Sequence, residues 1–517
     1  QHEDIEDEGQ TVHYPEIGTT AKDSQTGENF GYATENTTII DTVHYKNLVS
    51  GITYELVGTL YDKETGKPVG VESDVKATAT DADANTETDA DESSTEKYVT
   101  NTVQFTATGK DGDIDVPLTF NALNFKGRDV VVFEKLYVLK PDGTKVEIPL
   151  AQHEDIEDEG QTVHYPEIGT EAFDAETFLH ETEARTDLVI TDKVRYTNVV
   201  PGIEYTVTGK LMNAKTEQPI TDAAGNEVTS TATVVPTEKN GVAEVEFKFD
   251  ASLLRGETAV AFETWSYKDF VLAVHADIKD APQTVYFPDI KTTATSQTSG
   301  SKLLDPIDVE IIEDEIHYSN VIVGHKYLIK GSLIDVATGE ALKDADGKEI
   351  ANSVEFTAET TEGSIKMDFG KLKASELKGK SIVVYEALYN VDGKDEITLV
   401  KEHVTTNTDQ TVTVTEPTVK TVLAETDTNN KAITANETVK LTDTIEYKGL
   451  IPGNTYKTVS TLVDAKTGKT IQDKSGKDIV IEATVTPDKD VVVGTATFEF
   501  DGSNLAGKTV VAYEDVY

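Results

Sequence analysis

Four residue types recur along this chain in a fixed order, and each has chemistry to offer. A threonine follows a proline-led strand in PEIGT (Thr19), again in PEIGT (Thr170), in PDIKT (Thr292) and in EPTVKT (Thr421). An aspartate stands two residues before an apolar strand position at Asp41, Asp192, Asp314 and Asp443. A glutamate closes an apolar strand at Glu134, Glu263, Glu386 and Glu514. A histidine and a glutamine share the segments HEDIEDEGQTV (His153, Gln161), HADIKDAPQTV (His275, Gln283) and EHVTTNTDQTV (His403, Gln410). A threonine hydroxyl is a weak nucleophile that needs a base beside it, and an amide is a poor electrophile whose carbonyl needs polarising. An aspartate and a glutamate held together in a dry interior cannot both ionise easily, so one keeps a proton to donate while the other accepts. An imidazole can set the proton balance of such a pair.

Singly, each residue has an ordinary reading. Thr is a β-former, Asp before a strand is a turn residue, and His in a HEDIEDE run is a solvated polar group. Recurrence in register is what lifts the set above these readings. It also selects within it: Thr20 and Thr293 are matched by Glu171 and Val422 in the other copies, so the first threonine of each pair is the constant one. HEDIEDE invites a metal reading, since His and carboxylates suit divalent cations. It lacks the spacing of a calcium loop, and its acids change between copies, so neither metal nor cofactor is expected.

The elements that position these residues are themselves repeated. VHYKNLVSGITYELVGTLYDKETGKPV from Val43 returns from Val194, Ile316 and Ile445, and each copy is followed by a second block: GRDVVVFEKLY, GETAVAFETWSY, GKSIVVYEALY and GKTVVAYEDVY. Within a copy, TYELVGTL, EYTVTGKL and KYLIKGSL alternate apolar with polar, the pattern of a half-buried strand. Glycine-containing breaks such as VSG, VPG, IVG and IPG mark turns. Short alternating strands at regular spacing predict an all-β chain, a tandem array of immunoglobulin-like β-sandwich domains. ALNFKG, SLLRG, SELKG and SNLAG each predict one short helical turn, and the acidic stretch 81–98 predicts a mobile insert.

Composition narrows the function classes. The 517 residues carry 94 acidic and 46 basic side chains, a formal net charge of −48. A surface that acidic repels nucleic acid and anionic lipid. Cysteine is absent, so disulfides, thiolate nucleophiles and thiolate metal sites are excluded. No apolar run is long enough for a membrane span in this segment.

The recurring set resembles the family of Gram-positive surface proteins built from domains with Thr–Gln ester bonds, also called VaFE repeats after motifs like VVFE and VAFE here. The resemblance covers essentially the whole chain and rests on four spaced elements in order. It implies that the Thr hydroxyl of the first strand attacks the Gln amide of the last, ammonia leaves, and an ester ties the two ends of the sandwich together. The implied sets are Thr19, Gln161, Asp41, Glu134 and His153; Thr170, Gln283, Asp192, Glu263 and His275; and Thr292, Gln410, Asp314 and Glu386. His153 and His275 lie eight residues before their Gln, but His403 lies seven before Gln410, with Glu402 at the matching place. One residue of slip turns a strand side chain to the other face, so either a bulge restores the register or that domain works without the histidine. An isopeptide bond would need Lys where every copy has Thr.

The expected layout is a closing strand at 1–13, ester-bond domains at 14–163, 164–285 and 286–412, and a fourth domain at 413–517 without its closing strand. QHEDIEDEGQTVHYPEIGT occurs at both 1–19 and 152–170. His2 and Gln10 therefore read as the acceptor side of a bond, while Thr421, Asp443 and Glu514 read as the other half of such a set. Two expectations follow. Either the segment was cut from a longer array, or Gln10 of one chain esterifies Thr421 of the next by strand donation, making a head-to-tail fibre. A bond closing more than a hundred residues would raise unfolding free energy by on the order of 4 kcal/mol on the chain-entropy model. The function expected is an extracellular stalk or fibre, anchored to a Gram-positive cell wall or assembled at the surface. Its chemistry is single-turnover self-modification, and it is not an enzyme. A ligand-binding adhesin is the alternative, with an unknown host ligand, no nucleic-acid partner, and Trp265 a core residue.

Overall fold

The computed structural model describes residues 7–71, 97–402 and 406–517. Among them there is no α-helix, and thirty-two strands form paired sheets repeated along the chain. His2, His403 and residues 81–96 of the acidic insert lie outside the described residues. No helix among the described residues is long and apolar enough to cross a membrane.

Each copy is a two-sheet sandwich. In the first, Glu16–Asp23, Thr37–Lys46 and Gly112–Phe120 form an antiparallel three-stranded sheet. The facing sheet is built on Thr53–Asp62 and Arg128–Val138, and the latter also pairs with Ala151–His153 and Thr162–Tyr165. Strict alternation drives this: Thr37–Lys46 buries every second residue, Asp41 among them. Leu60, Leu118, Val130, Val132 and Val163 fill the space between sheets, each buried aliphatic contributing about 1.5–3 kcal/mol. The second and third copies repeat the plan, with the last short strand (Thr284–Tyr286, Thr411–Val414) against the Glu-bearing strand. The fourth has only Tyr456–Asp464, Val480–Val485 and Val510–Val516 in its second sheet.

The chain divides into two compact units, residues 1–287 and 288–517. Within the first, Phe30 leaves its own sandwich and packs edge-on against Tyr205 and Tyr267 of the next. Within the second, Asp305 accepts hydrogen bonds from Tyr456 (2.8 Å) and Asn454 (3.1 Å). Both linking residues lie in the loop after the first strand.

The helical-turn expectation is met in three copies by 3-10 turns at Leu123–Phe125, Ala374–Glu376 and Ser503–Leu505. In the second copy the bonds Leu254 N to Ala251 O and Glu257 N to Leu254 O do not run consecutively, so separate turns replace the helix. Trp265 is wholly buried between Tyr196 and Tyr205.

Candidate functional site

The first strand and the Asp-bearing strand pair so that Thr19 faces Val43 and Ala21 faces Asp41. Thr and Asp are thus diagonal neighbours on one inward face, within reach of each other. The same register sets Thr170 beside Asp192, Thr292 beside Asp314 and Thr421 beside Asp443. The Glu comes from the opposite sheet, pointing inward, and a mid-strand glycine lies across from it: Gly58 with Glu134, Gly209 with Glu263, Gly331 with Glu386. At Gly58 a Cβ would sit 2.4 Å from Glu134 Oε1 and 3.0 Å from Val116 Cγ1, so a side chain there would push the Glu134 carboxyl out of its place. Ser460 takes this place in the fourth domain and donates to Glu514 Oε2 at 2.6 Å.

The glutamine arrives last and completes the site. In the second domain Gln283 Nε2 lies 2.5 Å from Thr170 Oγ1 and 2.6 Å from Glu263 Oε2, and Thr170 Oγ1 donates to the same Oε2 at 3.1 Å. In the third, Gln410 Nε2 lies 2.7 Å from both Thr292 Oγ1 and Glu386 Oε2. All these side chains are buried. In the first domain Thr19, Asp41, Glu134 and Gln161 are equally buried, and the backbone N–H of Ala21 donates to Gly160 O at 2.9 Å, holding the Gln loop on the Thr strand.

Burial decides the ionisation. It pushes Asp41 up to about 7, with Glu134 and Thr19 offsetting part of the rise. It pushes Glu134 up to about 10, and the Asp41 charge adds to the shift. Asp192 and Asp314 rise for the same reason, as do Glu263 and Glu386. Read as two carboxylates, Asp41 and Glu134 have no hydrogen-bond partner at all, yet they are close enough to act on each other's ionisation. A single proton held between them supplies the missing donor and reconciles the two observations. In the fourth domain Thr421 and Glu514 are only partly covered, and Glu514 reaches only about 7.

The histidines stand where the eight-residue spacing put them: His153 is the cross-strand partner of Glu134, and His275 of Glu263. Each ring is held by a carboxylate that sequence reasoning passed over, His153 Nε2 lying 2.8 Å from Asp158 Oδ2 and His275 Nε2 2.8 Å from Asp280 Oδ2. The signal was an acid three residues before each Gln. In the third domain the cross-strand partner of Glu386 is residue 402, a glutamate. Gln10 is exposed, in the turn Glu8–Gln10. Among the described residues no group of His, Asp and Glu could hold a metal ion.

A model of the T-Q ester bond containing domain matches residues 15–165, 166–287, 288–414 and 417–517. Among solved structures, the chain is similar to a bacterial adhesin from Mobiluncus mulieris containing intramolecular disulfide, isopeptide and ester bond cross-links. The identity is 14%, over 55% of this chain and 90% of that one, with a TM-score of 0.22. It is also similar to an Escherichia coli alpha-2-macroglobulin activated by porcine elastase, at 12% identity over 97% of this chain and 44% of that one, with a TM-score of 0.17. No curated protein sequence matches the chain.

Proposed function

The chain belongs to the T-Q ester bond domain family, and from that premise we propose that it is a structural cell-surface stalk whose sandwiches lock themselves with Thr–Gln esters. The observation that carries this is the buried contact of hydroxyl and amide, Thr170 with Gln283 at 2.5 Å and Thr292 with Gln410 at 2.7 Å. The bond formed is Oγ1 to Cδ, and the bond broken is Cδ to Nε2. The hydroxyl proton passes to the carboxyl pair, the ionised Asp serving as the base. The leaving nitrogen, 2.6 Å from Glu263 in the second domain, takes a proton from that pair and departs as ammonia. The pair ends as it began, so no cofactor or external enzyme is consumed, and the chemistry stops after one turnover per domain.

A load applied along the chain enters each sandwich through its first and last strands. An ester between those strands carries the load past the core, which suits an extracellular stalk on a Gram-positive cell wall or in a surface fibre. Pulling single full-length chains tests this. The intact chain should extend without yielding in its first three domains, and the triple variant Thr19→Ala, Thr170→Ala, Thr292→Ala should release each domain's contour length. Full extension of the unsubstituted chain at the same force overturns the reading.

The fourth domain favours a second element of the same function. A groove of about 640 Å³ runs beside Thr421, lined by Leu423, Lys431 and Val510–Ala512, where the other sandwiches seat their Gln strand. We propose that it accepts a Gln strand donated by another copy, with Gln10 esterified to Thr421. Denaturing electrophoresis of native material should show a ladder that Thr421→Ala removes; a single monomer band overturns the donation.

A further inference from the structure

The third domain has the Thr, Gln, Asp and Glu of its neighbours but not their histidine register, and its replacement can be found in the loop after its first strand. That loop is placed identically in three domains, because one backbone bond recurs: His164 N to Asn29 O (2.9 Å), Tyr286 N to His180 O (2.8 Å) and Thr413 N to Lys302 O (2.8 Å). The residue at this point sits beside the strand that follows each Gln. It is Asn29 in the first domain, which has His153. It is His180 in the second, with a buried and unpartnered Nδ1. It is Lys302 in the third, and the matching residue of the fourth, six after Glu425, is Lys431, which lines the groove beside Thr421.

Lys302 Nζ donates to the backbone carbonyl of Asp409, the residue before Gln410. That same carbonyl accepts from Ala294 N at 3.0 Å, two residues beyond Thr292. The ammonium thereby ties the Gln loop to the Thr strand and places its charge in the field of Asp314 and Asp409. A second replacement accompanies the first. Where the other domains have Asp158 and Asp280 to hold a histidine, the third has Asn407, and its Nδ2 donates to Gln410 Oε1 at 2.9 Å. Gln161 and Gln283 have no such donor on their carbonyls.

We propose that the third domain closes by a different arrangement of charge, in which Lys302 and Asn407 take the place of the His–Asp pair of the first two. Asn407 touches the reacting carbonyl and is the catalytic member, polarising it as oxyanion donors do. Lys302 is a positioning residue that acts through Asp409, whose backbone carbonyl it holds, and through the ionisation of Asp314, whose carboxyl its charge favours in the ionised form. This rests on the ester reading above.

The test follows closure in newly synthesised full-length chain, as the time course of the cross-linked against the free Gln410 peptide. An opposite charge nearby commonly shifts an acid by one unit or more, so Lys302→Met should slow closure of the third domain by about tenfold or more. Lys302→Arg should keep closure within a few-fold of the parent. Installing the other domains' pair in the slowed chain, Glu402→His with Asn407→Asp, should restore it, which a purely structural lysine would not permit. Closure of domains one and two in the same molecules separates the outcomes: if they too stay open, the ester reading itself fails. If they close and the third closes at the parent rate in Lys302→Met, or depends on His403 in His403→Ala instead, the proposal is overturned.

Discussion

Replacing Thr170 by Ala removes the nucleophile of the second domain and leaves the rest of the sandwich in place. Thr170 and Gln283 are 113 residues apart. Closing a loop of that length restricts the unfolded chain by about 5 kcal/mol on the chain-entropy model. A domain of about 120 residues unfolds with an entropy near 0.25 kcal/mol/K, so the loss corresponds to about 20 °C in its transition temperature. Scanning calorimetry of the full chain reads the result as one transition moving down while the others stay. Thr170→Ser restores a hydroxyl and should restore the transition. If intact mass shows the second domain open in Thr170→Ala yet its transition moves by less than about 5 °C, loop closure is not what stabilises these domains.

Four further outcomes are expected. With Asp41 raised to about 7 and Glu134 to about 10, the first domain has an ionised base and a protonated acid together only between those values. Its closure rate should therefore form a plateau there and fall on both sides; a rate that rises steadily to pH 11 or so contradicts the assignment. In the open Thr19→Ala variant both folded pKa values stand above the unfolded ones, so the folded state holds more protons. Stability should then decline as pH rises from about 4 through about 7 and onward, and a denaturation midpoint that rises over that range counts against a buried shared proton. Gly58→Ala puts a Cβ 2.4 Å from Glu134 Oε1, and a peptide map should find the first domain open and the second and third closed. Glu217 holds φ 57° where the equivalent turns have Gly66, Gly339 and Gly468, so Glu217→Gly should stabilise the second domain by up to about 1 kcal/mol, seen as a rise of a few degrees in its transition.

The parts of this arrangement that sequence could reveal are those fixed by strand periodicity. Thr19, Asp41 and Glu134 fall on inward-facing positions of alternating strands, and the repeat aligns them without any structure. The eight-residue interval between His153 and Gln161 similarly reflects one cross-strand pair, Glu134 with His153. What stayed hidden depends on loop geometry. Asp158 reaches His153 because its loop folds back, with Gly160 N donating to Asp158 Oδ1 at 2.8 Å. Lys302 is 107 residues from the carbonyl it holds, and no periodicity links them. Gly58 was in plain view in TYELVGTL but carries no pattern of its own, and its meaning comes from the Glu on the neighbouring strand.

The most direct test is a map of cross-linked peptides from the native full-length protein, before and after hydroxylamine. Peptides joining Thr19 to Gln161, Thr170 to Gln283 and Thr292 to Gln410 are expected, each lighter than its two parts by one ammonia and each split by hydroxylamine. Linear peptides bearing intact Gln161, Gln283 and Gln410, or joined peptides that survive hydroxylamine, would contradict the ester.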